Sequence, residues 1–494
     1  MFVSDLASPA AGCVACAARD REIAALRAEN VELARRVAGL ERMISRNSQN
    51  SSLPPSSDDV LPGRDKPKAR RREDGGARRG RGKQAGAEGR WLRWVADPDE
   101  TKEHRPAGRC GCGADLTAAV DVGVEHSHQV HDLPEIAITV IQHEVWRVRC
   151  RCGREHVGEL PAGVAAAPSS YGPSLKALVV YLIVYQHVPV ERCVRLIADL
   201  TGGVAPSTGF VHGMLARCAA VLDEVVTLIK TAVTLAAVAG FDETVIRCGP
   251  AGRKKYVLSG STETAVAYHL GGRDLGSFTA FGILPSFAGI AVHDRYACYF
   301  HPSWAQLAGH QVCLAHLIRD FEDAAESWPD AVWPTQAQRA LRGLIHAWHA
   351  AREQQLAQIP AAVRDPLISE FRHAVLAGLS ELPRIPGPRS TTAQHPGRDL
   401  LEFCRDRHAE VTRFCHDTRV WPTNNISERD LRPTKTQQKI SGRLTSEDIT
   451  QDRLDIRSYI DTARKCGINT LTALRGALSG SPWKPLLPAT AAHP

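Results

Sequence analysis

No uninterrupted apolar run in this sequence approaches the ~20 residues that cross a bilayer; the longest extends from Ala177 to Tyr185. The first residues also lack the basic-then-apolar pattern of a secretory leader, so a soluble, cytoplasmic protein without a membrane partner is expected. An excess of one charge sign is missing from most of the chain. The formal charge is +7, and residues 64–90 supply it alone, with Arg64, Arg70, Arg71, Arg72, Arg78 and six further basic residues against Asp65, Glu73, Asp74 and Glu88. A cationic stretch attached to a balanced body points to a polyanionic partner, nucleic acid first.

What is present excludes two more classes. Apolar residues make up 43% and charged residues 23%, which rules out wholesale disorder, and 494 residues suggest about three modules rather than one small fold. The 14 cysteines sit in a long, cytosolic-looking chain, several as close pairs, so metal binding or burial is expected ahead of cross-linking.

Along the chain, residues 1–46 contain Ile23, Leu26, Asn30, Leu33, Val37, Leu40 and Ile44 at alternating spacings of 3 and 4, the a/d seam of a left-handed coiled coil. Asn30 falls on an a position, where a polar side chain fixes register and favours a two-stranded homodimer. Residues 47–95, polar and Pro-rich before turning basic and Gly-rich, read as a flexible linker. In residues 96–168, Cys110-Gly-Cys112-Gly and Cys150-Arg-Cys152-Gly flank strand-like residues 122–148. Two such knuckles joined by a hairpin would offer four thiolates to one structural zinc, and the glycine after each pair would turn backbone N–H groups toward sulfur. Residues 169–232 show helical periodicity around a Thr201-Gly202-Gly203 turn, compatible with a DNA-binding helix-turn-helix and equally with an ordinary three-helix packing unit. Residues 476–494 read as a tail.

Residues 233–475 read as an α/β domain: three strands (Ala237 to Arg247, Tyr256 to Ser261, Thr264 to Leu270), a helix around Phe278 to Phe287, then alternating strands and helices, with a helical insertion at about 327–420. Two apolar runs end on aspartate, Asp242 and Asp294. A carboxylate in a buried strand is costly unless something compensates it, and Mg²⁺ would. With a third carboxylate, two such ions can activate water and stabilise the leaving oxygen of a phosphodiester.

The third carboxylate comes from Thr423-Asn424-Asn425-Ile426-Ser427-Glu428-Arg429-Asp430-Leu431-Arg432-Pro433. With this block the sequence resembles the insertion-sequence-66 family of bacterial DDE transposases. The resemblance runs through the heptad helix with its Asn-Ser-x-Asn-Ser-Ser tail, the cysteine knuckles, Asp242-Glu243-Thr244, Asp294-Arg295-Tyr296 and Cys313-Leu314-Ala315-His316. It implies a ribonuclease-H-like catalytic domain whose acidic triad, holding two Mg²⁺, falls on Asp242, Asp294 and Glu428. It also implies a transposase acting on transposon ends and target DNA, working as a homodimer or larger assembly, with accessory proteins of the same element. Glu428 is expected on a helix capped by Asn424, Asn425 or Ser427, while Glu322, Asp323, Glu402 and Glu410 are expected on ordinary helix surface. Arg70, Arg71, Arg72, Arg429, Arg432, Lys435 and Lys439 are the expected DNA contacts, and Cys313 and His316 are expected to support Asp294 or the core. The alternatives are a catalytically inactive DNA-binding descendant and a nuclease without strand transfer.

Overall fold

Turn and cap residues decide where most elements begin. The computed structural model describes residues 92–161, 169–386, 395–442 and 444–487, with residues 19, 21–27, 29, 30, 33 and 37 near the start. Two units divide the chain: Ala69–Thr139, and a second formed by Met1–Lys68 with Val140–Pro494.

In the first unit, Gln129 holds Val95 through both backbone groups, at 2.9 and 2.7 Å. Arg105 bridges Glu103 and Asp121. Strands were expected over residues 122–148, yet residues 122–146 form none. Their apolar side chains stay in water, Val122 98% and Val140 87% exposed, and an alternating pattern becomes a strand only where a partner buries one face. The hairpin lies further on: β1 (Arg147–Arg149) and β2 (Glu155–Val157) pair antiparallel around the second cysteine pair, in the second unit.

The second unit continues with α1 (Pro173–Val180), which widens into a π turn at Tyr181–Tyr185. Next come α2 (Val190–Leu200) and α3 (Thr208–Thr234), the latter opened by Ser207, whose hydroxyl accepts the Phe210 N–H. The expected glycine turn between α2 and α3 is present. Helix α3 buries Val211, Met214, Leu222, Ile229 and their neighbours along its length, so these helices share one core with the sheet.

Three antiparallel strands follow, β3 (Val238–Cys248), β4 (Arg253–Ser261) and β5 (Val266–Gly271). Helix α4 (Leu275–Phe281) starts at the Asp274 cap and stops at Gly282, φ +84°. Sequence periodicity had extended it to Phe287; the left-handed glycine and Pro285 end it sooner. Strands β6 (Ile290–His293) and β7 (Gly309–Val312) then add in parallel on the other side of β3, giving the order β5-β4-β3-β6-β7. Helix α5 (Leu314–Ser327) leads into α6 (Trp333–Glu353), α7 (Ala361–Glu381), α8 (Pro396–Asp406) and α9 (His408–Thr412), which pack around their own core. The described chain closes with α10 (Asn425–Ser441), α11 (Glu447–Lys465) and α12 (Thr470–Leu478).

Both outer strands are tied to the helical segments beside them by hydrogen bonds between side chains and backbone. Along β5 the N–H groups of Val266, Tyr268 and Leu270 donate to Thr462 Oγ1 (3.0 Å), Ser458 Oγ (3.0 Å) and Gln451 Oε1 (2.9 Å) of α11. Along β7, Arg413 Nε donates to the His310 carbonyl, and Gln311 accepts the Phe414 N–H while donating to the Val411 carbonyl.

Candidate active site

The sheet sets two aspartates level with each other. Gly240 of β3 lies opposite Val292 of β6, and Asp242 and Asp294 each follow two residues later. Side chains alternate across a strand. Phe241 therefore packs into the core of α3 and α11, while Val238 packs into the core of α5 to α9 and Asp242 shares Val238's face. Glu243 falls on the opposite face, where it accepts the Tyr299 hydroxyl at 2.6 Å and pairs with Arg273. Burial and Asp294 push the Glu243 carboxyl up, and Arg273 pulls it back. Arg273 also reaches Asp294 at 3.4 Å. Neither Glu243's partnership nor Arg273 was singled out from sequence; the Asp-Glu pair on one strand was the available signal.

Helix α10 begins directly against β3. A Cβ on Gly240 would stand 2.4 Å from Ser427 Oγ and 2.7 Å from Asn424 Oδ1, so only glycine admits the helix this closely. Asn424 occupies the cap position but makes no side-chain cap bond. Its Nδ2 crosses to the Phe241 carbonyl at 2.8 Å, and its backbone N–H donates to Cys313 Sγ at 3.1 Å. The expected cap is thus a strand clasp, because the backbone carbonyl next to Asp242 lies within reach. Leu314 N–H donates to the Pro422 carbonyl at 2.9 Å, and Glu428 N–H to the Asn424 carbonyl at 3.1 Å. Glu428 consequently projects from the first turn of a helix fixed to both β3 and the start of α5.

The electrostatics tie these side chains together. The Asp242 carboxyl titrates well above the usual carboxylate range, through burial first and then the charges of Glu243 and Asp294, with Glu428 adding and His316 opposing. For His316, burial alone would lower the pKa, yet Cys313, Glu428 and Asp294 outweigh it and lift the imidazole to about 10. Lys435 is half-buried, its pKa lowered by burial against the pull of Asp242 and Glu428. Among the other basic residues of α10, Arg432 and Lys439 are exposed, and Arg429 Nε donates to the Asn425 carbonyl of its own helix at 3.2 Å. Arg70, Arg71 and Arg72 lie outside the described residues, as do Leu40 and Ile44.

Hard divalent cations suit this donor set. Glu428 Oε1 is buried without a hydrogen-bond partner, and Asp242 is desolvated among like charges, a cost that a cation removes. Asp242, Asp294 and Glu428 do not all bring an oxygen within 4.8 Å of one another. Among the described residues, the group whose ligand atoms all lie within 4.8 Å is Cys313, His316 and Glu428. His316, expected to support Asp294 or the core, lies beside Glu428 as well, with Nδ1 at 4.0 Å from Oε1.

Of the rival carboxylates, Asp323 and Glu402 were expected on helix surface, and both are buried, 7% and 2% exposed. They face the core that α5 and α8 share with α6 and α7, and Glu402 pairs with Arg398 at 2.9 Å. Glu410 pairs with Arg407 at 2.9 Å.

The pattern described as the Transposase IS66 family matches residues 168–451. The chain belongs to the IS66 transposase family. A family of unknown function (DUF6444) matches residues 11–92, and no curated protein matches. The IS66 match spans α1 to the first turns of α11, so all three carboxylates and the Cys313–His316 pair lie inside it. Membership carries a transposase role and a DNA substrate. Among the described residues of this IS66 transposase, no helix is long and apolar enough to cross a membrane.

Outside the match, the two cysteine pairs adopt the same turn. Gly113 N–H donates to the Cys110 carbonyl and Gly153 N–H to the Cys150 carbonyl, both at 2.8 Å, with φ of +91° and +88° at the glycines. The expected glycine N–H groups do not face sulfur. The backbone N–H of the second cysteine does, and it lowers the Cys110 and Cys150 thiols.

Proposed function

We propose that this transposase cuts and joins DNA by DDE chemistry, with Asp242, Asp294 and Glu428 holding two Mg²⁺ in a ribonuclease-H-like domain formed by residues 233–475. The observation that carries the reading is the approach of α10 to β3 at Gly240, which brings Glu428 into the field of Asp242. The strand order, three antiparallel strands continued by two parallel ones, supports the fold assignment. When bound, the ions supply a Lewis acid that activates water, and later a 3′-hydroxyl, and stabilises the leaving oxygen. The chain's own groups hold and orient: Asn424 and Cys313 fix the helix bearing Glu428, and Arg273 steadies Asp294. Lys435 offers charge beside the carboxylates, and Arg429, Arg432 and Lys439 extend a cationic face toward phosphates. Arg70, Arg71 and Arg72 add sequence-independent affinity, and the helices of residues 169–232 contribute to binding terminal inverted repeats. The turn at Cys110–Gly113 supports metal ligation by Cys110 and Cys112, and the like turn at Cys150–Gly153 supports it for Cys150 and Cys152.

The test uses purified full-length chain and DNA carrying the element's terminal repeats. Mg²⁺ should produce breaks ending in 3′-hydroxyls, and chelation should abolish them while binding persists. Tight binding with no cleavage in either Mg²⁺ or Mn²⁺ would overturn the reading in favour of an inactive DNA-binding descendant.

Dimerisation belongs to the same proposal. Ile23, Leu26, Leu33 and Val37 are 41–55% exposed on helical residues, an apolar seam that a second copy would cover in parallel with Asn30 setting register. Replacing Leu26 and Leu33 by Asp should shift the full chain to monomer mass in sedimentation. An unchanged mass would remove this helix from the assembly.

A further inference from the structure

Three ligand types that rarely share a magnesium site meet beside the acidic centre. Cys313 precedes α5, His316 lies in its first turn, and Glu428 lies in the first turn of α10; one ligand atom from each falls within 4.8 Å of the others. His316 Nδ1 and Glu428 Oε1 are both buried without a hydrogen-bond partner, 4.0 Å apart. Cys313 is fully buried, and its sulfur already accepts the Asn424 N–H at 3.1 Å, an outer contact of the sort that orients metal thiolates.

Thiolate and imidazole select zinc-class ions over magnesium. Three protein ligands with an open fourth position match a tetrahedral zinc shell, in which ligand atoms stand roughly 3.6 Å apart, so a small side-chain rotation closes the observed gaps. We propose that Cys313, His316 and Glu428 form a soft-metal site that withdraws Glu428 from the acidic centre, making zinc-class ions competitive inhibitors of the Mg²⁺-dependent reaction. Ligation releases to solvent both the Cys313 thiol proton and the proton that the charged His316 imidazole carries. The inhibitory consequence rests on Glu428 serving the acidic centre; the metal site itself does not.

Cobalt(II) titration of the full-length protein tests the site without any activity. The wild type should bind one more equivalent, with thiolate-to-cobalt absorption, than Cys313→Ser, all other cysteines cancelling in the difference; added zinc should bleach that extra signal. His316→Ala provides a second variant, one that keeps the Cys313 sulfur and its bond to Asn424, and it should lose the same equivalent. In cleavage assays at constant Mg²⁺, each variant's zinc inhibition constant, measured against its own uninhibited rate, should rise by more than about tenfold, since even outer partners of a metal are worth that much. Identical cobalt stoichiometry and spectra in the wild type and both variants would overturn the site. A cobalt difference in a protein that cleaves nothing with Mg²⁺ would leave the site standing and remove the catalytic reading.

Discussion

Glu428→Gln, Asp242→Asn and Asp294→Asn should each reduce Mg²⁺-dependent strand cleavage by more than about a thousandfold while terminal-DNA binding stays nearly intact, because ligands of one metal pair act as a unit. Double substitutions should be little worse than single ones, read as initial cleavage rates at saturating DNA. Asp242→Asn should also stabilise the metal-free protein at neutral pH. The folded Asp242 carboxyl titrates above its unfolded range, so ionising it opposes folding as pH rises through that folded pKa, and the neutral amide removes the penalty. A higher melting temperature together with lost cleavage separates a desolvated metal ligand from a residue that merely supports the fold. Proton competition predicts that the Mg²⁺ needed for half-maximal cleavage rises as pH falls. Near-normal cleavage by Glu428→Gln would place the third carboxylate on another helix.

The second large effect is expected from a residue without a side chain. Gly240→Val places carbon where Ser427 Oγ and Asn424 Oδ1 stand, so α10 must move outward or β3 must bend. Overpacking of this kind costs about 3 kcal/mol, visible as a lower denaturation midpoint. Cleavage should fall by more than the stability loss accounts for, because Glu428 departs with its helix. Gly240→Ala should do the same more mildly, and combining it with Ser427→Ala, which removes the nearest obstructing atom, should restore part of both properties. Full activity in Gly240→Val would show that the close approach at β3 does not position Glu428.

Much of this arrangement could be read from residues. Apolar runs ending on Asp242 and Asp294 marked the two central strands because parallel strands buried on both faces must be apolar up to the point where chemistry begins. Helices α2 and α3 were legible through their periodicity and the Gly202–Gly203 turn. The strands expected in residues 122–146 failed for the complementary reason: alternation describes a capacity to be half-buried, and nothing in the described unit buries them. Gly240 stood in plain sight within Val238-Ala239-Gly240-Phe241, but its meaning depends on a helix nearly two hundred positions away. Asn424 was read locally as a cap, since sequence cannot show that a carbonyl of β3 competes for its amide. Burial of Asp323 and Glu402 escaped for the same reason: which face of a helix turns inward is set by helices it meets only after folding.

The hydrogen bonds that α11 extends to β5, and those that Arg413 and Gln311 form along β7, have a consequence for assembly. A sheet normally ends in donors and acceptors that invite another chain to add a strand. Here the donors of Val266, Tyr268 and Leu270 are already committed to hydroxyl and amide side chains, so one border behaves as though a strand were docked there, while the other lies under the α9 segment. Growth by strand addition is closed at these positions, both to orderly partners and to the runaway stacking that produces aggregates. Contacts made through helices and charged surfaces, by contrast, can form and come apart without unravelling the sheet that carries the aspartates.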